Sequence, residues 1–124
     1  MSNNDTNKKV LVNCKAGIDD IEQATVAFLA AAVASTNDRH TAMFLTGGAI
    51  ELATQHGADG IEADGYDPLI KFRKALMKNG GELWVCPACA SARDLDPDDL
   101  IEGAQIAGVP KVMAYIDSGA VTLM

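Results

Sequence analysis

Short apolar runs alternate along the chain with longer segments that have helical periodicity. The apolar runs are typical of strands buried on both faces of a sheet, and the periodic segments are typical of helices. This alternation predicts right-handed crossovers and a mostly parallel α/β sheet with helices on both faces, in a three-layer flavodoxin-like or Rossmann-like arrangement. Five strands are predicted, at residues 8–14, 40–46, 82–86, 103–108 and 120–124. Helices or helical turns are predicted at residues 20–35, 49–54, 68–78, 87–93, 96–99 and 110–118.

The length of 124 residues is that of one domain. The polar amino-terminal residues 1–8 are interpreted as a flexible tail, followed by a single α/β domain over residues 9–124. The dipeptide Asp67-Pro68 predicts a helix start, with Asp as the N-cap and Pro as the first helical residue. The periodicity of that helix places Leu69, Phe72 and Leu76 inside and Lys71, Arg73, Lys74 and Lys78 mostly outside.

The first predicted helix is apolar almost all the way round. Ile21, Ala24, Phe28 and Ala32 share one face, while Val26, Leu29, Ala30 and Val33 cover much of the rest. A helix of this kind is covered on more than one side. In a chain this small, a second subunit is the expected cover, so a homo-oligomer is predicted.

Acidic residues outnumber basic residues by 17 to 10, and the formal net charge is −7. This balance argues against binding to nucleic acid or to an anionic membrane surface. The apolar stretch over residues 24–34 is too short to span a bilayer. Residues 1–5 hold no apolar secretory core, which predicts a cytoplasmic location.

Two cysteines follow predicted strands. Cys14 ends the first strand and Cys86 ends the third, while Gly47-Gly48 follows the second. Sites in parallel α/β sheets gather at the carboxyl ends of strands, so these residues are expected at one edge of the sheet. Cys14 is either a small core residue or an accessory thiol. Gly47 and Gly48 form either a tight turn or an anion-binding pair of backbone N–H groups.

The segment Cys86-Pro87-Ala88-Cys89 carries the most specific signal. Cys86 falls at a predicted helix start, where free backbone N–H groups and the helix dipole favour the thiolate. Cys89 lies three residues further on, so both sulfurs share one face. Arg93, two turns beyond Cys86, is a candidate to add to the positive electrostatic field at the Cys86 thiol. The alternative is that both cysteines are buried and inert.

A zinc site and a thioredoxin-like redox site are two other uses that thiols have in proteins. A structural zinc site needs four ligands, and only Cys14, His40 and His56 remain besides this one pair. His40 opens a predicted strand and so belongs to the opposite edge of the sheet. No metal and no cofactor are therefore predicted. A thioredoxin-like fold carries its Cys-x-x-Cys after an early strand, whereas here the motif follows two complete βα units, although dithiol redox chemistry stays open.

The chain resembles the DsrE/DsrF-like family, which includes TusD-type and YchN-type sulfur-relay proteins. The resemblance rests on residues 9–12, the alanine-rich first helix, the segment at residues 83–93 and the ending at residues 100–124. It implies a compact α/β fold, trimers or hexamers, and a cysteine that carries sulfur as a persulfide. Cys86 matches that cysteine by position. Cys89 is an addition to the TusD-type pattern, and Arg93-Asp94 replaces the Arg-Arg-Gly or Arg-Gly of many relatives.

Three functions follow from these observations. In the first, Cys86 takes sulfane sulfur from a donor protein and passes it to an acceptor protein, and Cys89 resolves or releases it. In the second, Cys86 and Cys89 cycle through a disulfide in redox chemistry or thiol sensing. In the third, the protein is a non-enzymatic oligomeric binding protein whose thiols are incidental.

Overall fold

The computed structural model describes residues 8–124, so residues 1–7 of the predicted tail lie outside the described residues. Five strands form one sheet in the order β4-β3-β2-β1-β5, and every neighbouring pair is parallel. The predicted five-stranded α/β sheet with helices on both faces is thereby confirmed. The strands are β1 Lys9–Cys14, β2 His40–Leu45, β3 Glu82–Val85, β4 Ala104–Ile106 and β5 Val121–Leu123. The α-helices are α1 Ile21–Ser35, α2 Leu69–Lys78, α3 Pro87–Ala92 and α4 Val109–Asp117, and 3₁₀ helices span Gly47–Ala53 and Pro97–Asp99.

The two faces of the sheet carry separate apolar cores, because successive side chains of a strand point to opposite sides. Leu11, Ala42 and Trp84 pack with Val112 and Tyr115 of α4 on one face. The larger core lies on the other face, against α1 and α2, and includes Val10, Val12, Met43, Leu45, Leu83, Val85, Phe28, Leu69 and Leu76.

Helix α1 begins where the sequence predicts, since the Asp20 side chain accepts a hydrogen bond from the backbone N–H of Gln23. Its second apolar side is only partly covered within the chain, and Val33 is 56% exposed. An open cleft of about 450 Å³ runs between this side of α1 and the edge strand β5. Its apolar lining is Val10, Val26, Leu29, Ala30, Val33, Ala34 and Leu123. Among the described residues, no helix is both long enough and apolar enough to cross a membrane.

The start of α2 differs from the prediction. Pro68 has an extended backbone and is itself the cap residue, so Asp67 is not the N-cap. The Asp67 carboxylate instead accepts a hydrogen bond from Lys71 Nζ at 2.9 Å. Asp67 lies one residue before the cap position of α2. From there its carboxylate reaches the side chain of Lys71, four residues further along, more readily than it reaches the first free N–H groups of the helix.

The prediction that Arg73 points outward is wrong. Its side chain is buried, with 6% of its surface exposed, and its Nη1 donates to Leu52 O at 2.8 Å and Thr54 O at 2.7 Å. The last carbonyls of the 3₁₀ helix Gly47–Ala53 lack hydrogen-bond donors within that helix. The Arg73 guanidinium donates to them instead. Arg73 therefore fixes the segment that follows β2.

Replacing Arg73 by Met should lower the free energy of unfolding by about 3 kcal/mol, because buried carbonyls lose their charged donor. Urea unfolding measures the effect. Lys74→Met is the matched control, since Lys74 is exposed on the same helix. Equal stability of the two variants would show that the buried guanidinium is not needed to hold this segment.

Candidate functional site

The first candidate side chain belongs to the residue between β3 and α3. Cys86 is the cap residue of α3, and Pro87 occupies the first helical turn, as the sequence predicts. The Cys86 backbone N–H donates to Leu45 O at 3.1 Å, which continues the β2–β3 pairing one residue past the strands. The Cys86 carbonyl accepts from the Ala90 N–H at 3.0 Å, which closes the first turn of α3. Sheet and helix thus both fix this backbone.

Cys86 lies in a field that favours its thiolate. Burial raises the pKa of the Cys86 thiol, but the backbone N–H of Cys89, the Cys89 thiol and the backbone N–H of Ala88 together lower it by more, so the net shift is downward. Within the described chain, the Cys86 side chain makes no capping hydrogen bond to α3. The backbone N–H groups of Ala88 and Cys89 at the start of α3 favour negative charge on the sulfur.

Cys89 contacts the segment that follows β2. The Gly47 backbone N–H donates a hydrogen bond to Cys89 Sγ at 3.2 Å. Gly47 has a φ of +57°, a conformation that glycine adopts without the strain other residues meet there. By sequence, Gly47 and Gly48 are candidates for an anion-binding pair of N–H groups. The structure instead directs the Gly47 N–H at a cysteine sulfur of the same chain.

Cys14 lies at the end of β1 but belongs to the core. It is 3% exposed among the side chains under α1, and its thiol donates to Ala16 O at 3.4 Å. Burial raises the pKa of Cys14 to about 11, and the nearby charge of Asp19 adds to the shift. Strand β2 lies between β1 and β3, so the backbones of Cys14 and Cys86 are roughly 10 Å apart. Cys14 is therefore a neutral core thiol at neutral pH.

The remaining candidates are Arg93, the residue that follows α3, and Gly48, the neighbour of Gly47. Arg93 is exposed at the carboxyl end of α3, where its Nη1 donates to Cys89 O at 3.4 Å. Gly48 contacts the β1–α1 loop, because its carbonyl occupies the place that a Cβ on Gly17 would take. That close approach requires glycine at position 17 and holds the loops after β1 and β2 together.

Both histidines lie away from Cys86. His40 begins β2, at the opposite edge of the sheet, where its Nε2 and Glu82 Oε2 are 2.8 Å apart and its Nδ1 and Tyr115 Oη are 2.8 Å apart. His56 pairs with Asp59 in a loop. Among residues 8–124, no three His, Cys, Asp or Glu side chains gather as a metal site.

A family model described as the DsrE/DsrF-like family matches residues 8–123. The chain belongs to the DsrE/DsrF-like family. The resemblance predicted from the sequence is therefore confirmed, and it spans the whole sheet and both thiol-bearing strand ends.

Solved structures with the same fold include the ychN protein from E. coli, with a TM-score of 0.72 and 16% identity over 94% of this chain and 99% of that chain. A protein of unknown function from Methanobacterium thermoautotrophicum, MTH1491, gives a TM-score of 0.67 and 16% identity over 94% and 97% of the two chains. A curated relative is the uncharacterized protein MJ0760 of Methanocaldococcus jannaschii, 26% identical over 100 residues. The match covers 81% of this chain and 36% of that protein, so this chain spans about a third of its relative's length.

Limited alkylation with iodoacetamide at pH 7 should label Cys86 first and leave Cys14 unlabelled until the protein unfolds. The thiolate is the nucleophile, and a thiol with a pKa near 11 is ionised to only about one part in ten thousand at that pH. Peptide mass mapping over a time course measures the order. Cys14→Ser should leave the labelling of Cys86 unchanged, whereas labelling of native Cys14 at the rate of Cys86 would contradict the assignment.

Proposed function

We propose that this DsrE/DsrF-like protein takes up sulfane sulfur on Cys86 as a persulfide and passes it to a thiol of an acceptor protein. The observation that carries the proposal is the position of Cys86 at the start of α3, where its pKa is lowered at the carboxyl edge of the sheet. Membership of the family supports a sulfur-relay role. The free thiols suit the reducing cytoplasm, where we place the protein.

Each transfer is an exchange at sulfur. The Cys86 thiolate attacks the terminal sulfur of a donor persulfide, a new S–S bond forms at Cys86, and the donor leaves as its thiolate. In the second step, an acceptor thiolate attacks the terminal sulfur on Cys86, and Cys86 leaves as the thiolate. A low pKa helps both steps, because it populates the nucleophile and improves the leaving group.

The surface around Cys86 admits a protein partner. Pro87, Ala88, Ser91 and Ala92 are exposed on α3, and all four are small or compact. A partner backbone is therefore able to approach the sulfur closely. This surface favours a protein-borne cysteine as the exchange partner over a deeply enclosed small molecule.

Persulfide uptake is tested by exposing the protein to a persulfide donor and measuring the intact mass. Cys89→Ser, and the same variant with Cys14→Ser added, should each gain one sulfur atom, and Cys86→Ser should gain none, because only Cys86 combines access with a favoured thiolate. Peptide mapping should find the added sulfur on Cys86. Equal uptake by Cys86→Ser would exclude Cys86 as the carrier.

A dithiol redox cycle is the second candidate, and the interaction of the Cys89 thiol with Cys86 favours it. Both thiols would be oxidised to a disulfide by a partner disulfide, which would be reduced in exchange. A reversible Cys86–Cys89 disulfide in a protein that takes up no sulfur would select this function over sulfur transfer.

We also propose that the chain forms a homo-oligomer, a trimer or a hexamer as the family resemblance implies. The support within the chain is the open apolar cleft between α1 and β5, which is continuous with the exposed side chains Val33, Val121 and Leu123. Monomers seldom leave an apolar surface of this kind in contact with water.

Val33→Asp should shift the protein toward a 13.0 kDa monomer, because it places a charge among the apolar residues that line the cleft. Light scattering at micromolar concentration measures the mass. Met113→Asp is the matched control on α4, because Met113 is 49% exposed but lies on the other face of the sheet. A monomeric wild type would contradict the oligomer, and an unaffected Val33→Asp would contradict this interface.

A further inference from the structure

The hydrogen bond from Gly47 N–H to Cys89 Sγ has no part in transfer to an external acceptor. We propose that Gly47 and Cys89 form a discharge site, in which Cys89 expels the sulfur held on Cys86 as hydrosulfide and leaves a Cys86–Cys89 disulfide. This inference rests on the proposed function, because it requires a Cys86 persulfide. It adds a second outlet for the sulfur, one that delivers free sulfide instead of a protein persulfide.

The position of Cys89 allows its thiol to attack Cys86. Cys89 lies one turn into α3, and the Ala90 N–H to Cys86 carbonyl bond at 3.0 Å holds that turn closed. The Cys89 thiol is among the groups that interact with the Cys86 sulfur. Both cysteines are half-buried, and α3 carries them on the same side. An internal thiol held in this way competes well with any thiol in solution.

The backbone N–H of Gly47 is a hydrogen-bond donor for the negative charge that develops on an attacking sulfur. Negative charge gathers on Cys89 Sγ as its proton leaves, and the Gly47 N–H at 3.2 Å is already directed at that atom. The positive φ of Gly47 and the Thr46 N–H to Cys14 carbonyl bond at 3.1 Å fix the backbone that presents this donor. The donor therefore requires no rearrangement when the reaction begins.

The step balances in atoms and charge. Cys89 Sγ forms a bond to Cys86 Sγ, and the bond between Cys86 Sγ and the terminal sulfur breaks with its electron pair on the terminal sulfur. The Cys86 persulfide reacts as its anion, the Cys89 proton passes to the terminal sulfur, and that sulfur leaves as one hydrosulfide ion. The sulfane sulfur is reduced, and the two thiols are oxidised to a disulfide. An external dithiol then restores both thiols by disulfide exchange and is itself oxidised.

The discharge is tested on protein loaded with sulfur by a persulfide donor and then freed of donor by gel filtration. The wild type should release one hydrosulfide per loaded chain without added thiol, and its intact mass should end two hydrogen atoms below that of the reduced protein. Cys89→Ser should load equally but hold its sulfur at least about tenfold longer, because the internal nucleophile is gone. Cys14→Ser is the matched control and should behave as the wild type does.

The outcomes separate the two proposals. Failure of the wild type and of Cys89→Ser to load sulfur would overturn the proposed function itself. Normal loading with equal sulfur retention in the wild type and Cys89→Ser would overturn only the discharge site. A release rate that rises with protein concentration would also overturn it, since an internal attack is independent of concentration. In the loaded protein, the Gly47 amide proton should shift in the ¹⁵N-correlated NMR spectrum as sulfide is released, and an unmoved signal would exclude Gly47 from the site.

Discussion

The parallel pairing of β2 with β3 determines where both sulfurs of α3 lie. It continues past the strands through the hydrogen bond from Cys86 N–H to Leu45 O, so the first residue of the β3–α3 junction stays in register with the end of β2. That register sets Cys89 against Gly47, the second residue after β2. The site is therefore a property of two neighbouring strand ends, and α3 alone would not assemble it. Arg73 supports the arrangement by binding the carbonyls that end the 3₁₀ helix beginning at Gly47.

The same constraint separates the roles of the three cysteines. Cys14 and Cys86 both end strands at one edge, yet Cys14 lies beneath α1, where burial keeps its thiol neutral. Cys86 lies at the start of α3, where backbone N–H groups favour the thiolate despite partial burial. The two pKa values differ because α1 covers the end of β1, whereas the end of β3 leads directly into α3. Two strand-end cysteines whose pKa values shift in opposite directions thus occur two strands apart in one sheet.

The sequence was enough to predict the α/β fold and the junction that holds Cys86, because strand and helix periodicity, Pro87 and the glycines are local signals. The contacts that organise the site were not predictable in this way. Gly47 and Cys89 are 42 residues apart in the chain, and the hydrogen bond between them depends on strand order. Helical periodicity does not predict the burial of Arg73, because it does not show which carbonyls an adjacent segment leaves without a hydrogen-bond donor. The burial of Cys14 likewise depends on how α1 covers the end of β1.

The most direct test of this account is the pH dependence of sulfur uptake at Cys86, measured in Cys14→Ser and in the same variant with Cys89→Ala added. The rate should rise with ionisation of Cys86, with a midpoint below the ordinary cysteine pKa of about 8.5. Adding Cys89→Ala should move that midpoint upward, because one of the groups that lower the pKa of Cys86 is removed. A midpoint at or above the ordinary value in Cys14→Ser would contradict the claim that the start of α3 makes Cys86 the sulfur-carrying thiolate.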